Sequence, residues 1–131
     1  MKIIRLRLLI HVLTICWIIF LTLLLWLPDP RVLVFGWTPS EDVGGYSHLI
    51  SFMILGFLCE LDRRRCSFEL VGLALIFYAV FTETGQIFFP YREFDLNDII
   101  QNFAGLFVGL EIGTVTKIAY RFLKKFFCNE K

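Results

Sequence analysis

The chain has 131 residues, 57% of them hydrophobic and 19% charged, with a formal net charge of +1 and a mean hydropathy of +0.70. That apolar share exceeds the roughly 45–50% of an ordinary soluble domain, which excludes a water-soluble globule and points to an integral membrane protein whose first partner is the lipid bilayer. The near-neutral balance gives no ground for a nucleic-acid partner. Each transmembrane helix needs about 20 apolar residues, so the expectation is one all-α, polytopic domain over residues 1–131.

Four apolar runs follow one another. The first, residues 8–27, is nearly unbroken and stops at Pro28-Asp29-Pro30, which cannot continue a helix. The basic residues before it (Lys2, Arg5, Arg7) resemble the start of a secretory signal. However, the run is longer than a signal core of about 7–15 residues and lacks a small-residue cleavage site. It is expected to be an uncleaved first helix, with Trp26 anchored at the interface. The second run, residues 45–61, is the weakest, being short and carrying Ser47, His48 and Ser51 in its first turns. The third, residues 68–89, is closed by Pro90, and the fourth covers residues 99–122. Unpaired amides are too costly in lipid for irregular backbone, so a four-transmembrane-helix bundle is predicted.

Lysine and arginine counts set the expected orientation. Lys2, Arg5 and Arg7 precede the first run, and Arg63, Arg64 and Arg65 separate the second and third. Lys117, Arg121, Lys124, Lys125 and Lys131 end the chain, while the other two connections hold Arg31 and Arg92 alone. The positive-inside rule therefore predicts cytoplasmic termini and a cytoplasmic 63–65 turn, with segments 28–44 and 90–97 outside. Cys66 and Cys128 fall on the predicted inner side and Cys16 and Cys59 within spans, so no disulfide framework is expected. No Cys-x-x-Cys spacing marks a metal site.

Polar residues gather where the third and fourth runs meet the predicted outer face. Glu83 and Gln86, three apart, share a helix face. Seven residues separate Glu83 from Pro90, which places the carboxylate about 10 Å below the helix end. Asp98, Asn102, Gly105 and Gly109 recur at offsets of four, seven and eleven on one face of the fourth run, and His48 opens the second run from the same side. A carboxylate in hydrocarbon costs roughly 2.5–3.5 kcal/mol, so a cluster of His48, Glu83, Gln86, Arg92, Asp98 and Asn102 is a candidate site. Plainer roles stand beside it. Asp95 and Asp98 suit helix capping, Arg92 suits headgroup anchoring, and a Glu83–Arg92 pair suits bundle fixation. Gly105, Gly109 and Gly113 have the spacing that lets helix backbones approach closely, either inside the bundle or between copies as a homo-oligomer. Glu111 lies off that face, and pairing with Lys117 or pointing into the bundle are both open to it.

The order Tyr46-Ser47-His48, Glu83-x-x-Gln86, Pro90-x-Arg92, Asp98-x-x-x-Asn102-x-x-Gly105-x-x-x-Gly109 resembles the VanZ-like family of small bacterial membrane proteins. The resemblance covers roughly residues 44–109, and the first helix matches only in being hydrophobic. Family members commonly carry Asp-Lys four and three residues before the histidine, where this chain has Gly44 and Gly45. Any role of that pair is lost here or moved to Asp42. The resemblance implies a multi-pass protein of the bacterial cytoplasmic membrane, related to one associated with resistance to the glycopeptide teicoplanin. It implies no particular reaction and no known cofactor.

Three functions remain open from the residues. In the first, a site binds or acts on a polar envelope lipid or cell-wall precursor. Glu83 or His48 would be its catalytic base, and Gln86, Arg92, Asp98 and Asn102 its binding groups. Glu83, Asp95 and Asp98 with His48 form an oxygen-rich set that could take a divalent cation, although no ligand spacing marks one. In the second, the protein is a non-catalytic interaction module and the polar cluster is a structural lock. The third, a small transporter, needs several copies to form a path.

Overall fold

The computed structural model describes residues 2–26, 46–64, 66–89 and 94–128. Among them are four helices and no strand: α1 (Lys2–Trp26), α2 (Ser47–Asp62), α3 (Phe68–Gln86) and α4 (Leu96–Cys128). Arg31, Asp42, Gly44, Gly45, Arg65 and Arg92 lie outside the described residues, and so do the sequence expectations that concern them.

Local chemistry sets the helix ends. Arg63, past the end of α2, turns its backbone N–H back to the carbonyls of Cys59 and Glu60. The Ser67 hydroxyl accepts from the Leu70 amide and caps α3, satisfying one of the amides that a helix start leaves free. Asp95 does the same for α4, its carboxylate accepting from the Asn97 backbone and side-chain amides at 2.8 and 3.1 Å. Helix α3 ends at Gln86 rather than at residue 89, with Ile87 and Phe88 tightening into a hydrogen-bonded turn. Helix α4 runs past the expected limit of 122 to Cys128, because a cluster of lysines changes the solvent a helix prefers without breaking its backbone ladder.

The helices alternate in direction. Trp17 of α1 donates its indole N–H to the Ser51 carbonyl of α2 at 3.1 Å, and His11 meets Asp62 at 2.6 Å, so α1 and α2 are antiparallel. Thr22 meets Tyr78 at 2.9 Å and Trp26 donates to the Thr82 carbonyl at 3.2 Å, which makes α1 and α3 parallel. Trp26, expected to be an interfacial anchor, thus fastens α1 to α3. Its ring also covers Gly85, where a Cβ would come within 2.9 Å of the indole.

Helix α2 is central, touching α1, α3 and above all α4. Helices α2 and α4 run parallel along a glycine seam. A Cβ at Gly105 or Gly109 would collide with the carbonyl of Leu49 or Met53, and one at Gly113 would lie 2.7 Å from the Glu60 Cβ. From the other side, a Cβ at Gly56 would lie 2.5 Å from the Leu106 carbonyl. Within the chain the glycine face packs α4 onto α2. Backbones this close gain dispersion contact and Cα–H···O contacts that larger residues would prevent.

The core takes two side chains from each helix: Leu21 and Leu25, Phe52 and Leu55, Leu75 and Ala79, Leu106 and Leu110. Around it the usual polarity is inverted. Glu60, Thr82, Glu83, Gln86 and Asn102 are buried, while Leu8, Leu73, Phe77, Phe107, Val115 and many other apolar side chains face outward. Helices α1, α3 and α4 are long and apolar enough to cross a membrane. Helix α2, at 16 residues, spans about 24 Å and falls short of the roughly 30 Å of a bilayer's hydrocarbon core.

Candidate functional site

The polar residues of α2, α3 and α4 converge at the end of the bundle where α3 finishes and α4 begins. Glu83, Gln86 and Asn102 are 0%, 3% and 0% exposed, and His48 and Asp98 lie between them and the surface. Burial follows from position. Glu83 and Gln86 lie on the face of α3 that meets α4, and Asn102 is one turn before Gly105, where the glycine seam pulls α4 onto α2.

Hydrogen bonds join Gln86, Glu83, Asn102 and His48 into one chain, and Asp98 approaches its histidine end. Glu83 Oε2 accepts from Gln86 Nε2 at 3.4 Å and from Asn102 Nδ2 at 3.5 Å. Because Asn102 turns its amide nitrogen to Glu83, its carbonyl oxygen is left facing His48 Nδ1 at 3.1 Å. An acceptor there requires the proton on Nδ1, so the carboxylate fixes the histidine tautomer through one intervening amide. His48 Nε2 then faces Asp98 Oδ2 at 3.4 Å. Glu83 Oε1 differs, being buried with no hydrogen-bond partner among the described residues. Gln101 Oε1 and Thr114 Oγ1 share that condition, but neither belongs to an ionisable group.

Of the six residues expected to cluster, the structure brings together His48, Glu83, Gln86, Asp98 and Asn102. Asp95 stands at the surface as the α4 cap, as its plainer reading proposed. No group of three or more His, Cys, Asp or Glu among the described residues is arranged to hold a metal ion.

The opposite end of the bundle holds a second polar cluster that the sequence reading missed. Glu60 is 0% exposed and is gripped by Arg63 through both oxygens, at 2.7 and 2.9 Å, and by Lys117 Nζ at 3.2 Å. Lys117 also donates to the Arg63 carbonyl at 3.0 Å. Hydrogen bonding to this carboxylate raises the Arg63 guanidinium above its ordinary pKa. Lys117 is therefore engaged by Glu60 and not by Glu111, which is exposed and does not point into the bundle. The available signal was Glu60 itself, an acid in the apolar context Leu58-Cys59-Glu60-Leu61 with arginine three residues on, where a helix turn brings the two together.

An all-helical fold with three membrane-length apolar helices and ionisable groups buried between them defines a small membrane protein with an internally polar site. The chain belongs to the VanZ/LLP1 family, whose model matches residues 8–117 and so takes in the first helix as well as the polar cluster. No curated protein and no solved structure matches it.

Proposed function

We propose that the protein is a multi-pass protein of the bacterial cytoplasmic membrane. Its Glu83–Asn102–His48–Asp98 cluster binds the polar headgroup of an envelope lipid or cell-wall precursor at the outer leaflet. In this reading all four helices span, both termini and the 63–64 turn are cytoplasmic, and α2 reaches across by virtue of its enclosure between α1, α3 and α4. The basic residues at one end of the bundle support that orientation.

One observation carries the site: Glu83 is fully buried, with Oε2 accepting from two neutral side-chain amides at 3.4–3.5 Å and Oε1 without a hydrogen-bond partner among the described residues. Interhelical hydrogen bonds in membranes contribute on average about 0.6 kcal/mol each. The two interhelical bonds His48–Asn102 and Asn102–Glu83 then amount to about 1.2 kcal/mol, less than the roughly 2.5–3.5 kcal/mol cost of the carboxylate. A ligand hydroxyl or amine donating to Oε1 closes that deficit. His48, with Nε2 toward the more accessible Asp98, is placed to exchange a proton with the same ligand, and Gln86 and Asn102 orient the carboxylate. Arg92, four residues before Leu96 in the chain, is assigned to the ligand's anionic group. Low-level protection against teicoplanin is the expected consequence for the cell.

The alternative, a non-catalytic interaction module with the cluster as a lock, is favoured by one fact: the side-chain hydrogen bonds among His48, Asn102, Glu83 and Gln86 tie α2, α3 and α4 together. The experiment is mass-spectrometric identification of lipids and precursors that co-purify with wild type and with Glu83→Gln, with membrane abundance measured in parallel. Loss of a bound species and of teicoplanin protection at unchanged abundance supports the binding site. Loss of the folded protein, or a lipid complement identical to wild type, supports the lock.

A further inference from the structure

At the Arg63 end of the bundle a cleft of about 1450 Å³ opens between α1 and α4. It exists because α2 stops at Asp62 while α4 continues for eleven residues past Lys117, about 16 Å, and α1 and α4 make little direct contact. Nothing on the described chain fills the space that α2 vacates.

Its walls have two characters. One part is apolar and half-buried, with Ile10 of α1, Cys59 of α2 and Val71 of α3. The other is cationic, with Arg7, Arg63, Arg64, Lys117, Arg121 and Lys124 and a single lining carboxylate, Asp62. The internal pairings account for only half of those cations. Arg63 and Lys117 are taken by Glu60 behind the wall, and Asp62 is taken by His11 at 2.6 Å with Arg64 at 3.9 Å. Arg7, Arg121 and Lys124 have no ion-pair partner among the described residues, and they stand on the two facing walls.

We infer that this cleft is a binding site for a phospholipid with a net anionic headgroup, its phosphate held between Arg7 on α1 and Arg121 and Lys124 on α4 and its acyl chain lying on the apolar floor. Charge complementarity argues for this occupant: three unneutralised cations surround one opening, and guanidinium forks match phosphate oxygens. The floor argues for a lipid rather than a soluble anion, because a hydrophilic ion gains nothing from Ile10 and Val71. The site is at the far end of the bundle from Glu83 and does not depend on what that cluster does.

The test is native mass spectrometry of the full chain in neutral detergent. It is titrated with phosphatidylglycerol, with phosphatidylcholine of the same acyl chains, and with inorganic phosphate. Phosphatidylglycerol is expected to bind at least tenfold more tightly than phosphatidylcholine and to resist displacement by phosphate. Arg121→Gln/Lys124→Gln should weaken it by roughly thirtyfold, at about fivefold per basic residue, with Arg7→Gln on the other wall moving it in the same direction. Arg5→Gln/Lys125→Gln removes the same charge from positions outside the cleft and should leave binding unchanged, with thermal melts showing all variants folded. An equal loss in that control pair, equal affinity for the two lipids, or ready displacement by inorganic phosphate would overturn the proposal.

Discussion

Glu60 and Glu83 are both buried completely, yet their surroundings are opposite in kind. Glu60 receives two charged donors, one of them bidentate at 2.7 and 2.9 Å, and both its oxygens are occupied. Glu83 receives two neutral side-chain amides at the long limit of hydrogen bonding on Oε2, and its Oε1 has no hydrogen-bond partner among the described residues. Two cations balance the first carboxylate's charge, whereas neutral amides leave the second's charge unbalanced, so the first acid is a finished structural element and the second is not. A buried polar group without a partner calls for an explanation, such as strain, a water or ion, or a ligand.

That contrast can be broken or sharpened by mutation. The largest effect is expected where both clusters depend on one feature, the α2–α4 seam. Gly109→Val drives a side chain into the Met53 carbonyl and should destabilise the fold by roughly 3 kcal/mol or more, read as loss of the monodisperse protein on size exclusion. Next comes Arg63→Ala, which leaves Glu60 buried with Lys117 alone. A loss of about 3 kcal/mol is expected in detergent melts, because breaking a buried pair exposes the desolvation cost of the remaining charge. Glu60→Gln should move stability in the same direction, since two cations lose their counter-charge.

A smaller effect is expected from Trp26→Phe, which keeps the ring over Gly85 and deletes the N–H to Thr82. About 1 kcal/mol should be lost, with α1 the first helix to exchange its amides. The smallest effect on stability is expected from the isosteric Glu83→Gln. Its carbonyl can still accept from Gln86 and Asn102 while its NH2 takes the vacant position, so the melt should shift by less than about 0.5 kcal/mol. Function should nevertheless be lost. A Glu83→Gln melt that falls as far as that of Glu60→Gln would erase the distinction between the two acids.

Much of the architecture was legible because lipid imposes simple rules. Runs of apolar residues gave α1, α3 and α4, and the spacing of Glu83, Gln86, Asp98 and Asn102 placed them on facing helix surfaces that do meet. The weakest run proved to be the most enclosed helix. Helix α2 can carry His48, Ser51 and Glu60 because α1 and α4 pack over those positions, so low hydropathy there reports centrality. The Glu60–Arg63 pair had a sequence signal in its spacing of three, but the part of Lys117 was not legible, because it lies 57 residues from Glu60 and only the glycine seam brings them together. Nor were the indole anchors of α1 legible, since Trp17 and Trp26 bond to backbone carbonyls, which leave no trace in side-chain patterns.

The sequence by itself determined the class of protein, the helices and which of their faces carry polar groups, since hydrophobic length and periodicity are properties of a chain read one turn at a time. Only the tertiary structure decided which acid is neutralised and which is left open. That outcome depends on partners that meet across helices, and a buried carboxylate's energy is set by the groups within a few ångströms of it rather than by its neighbours in the chain.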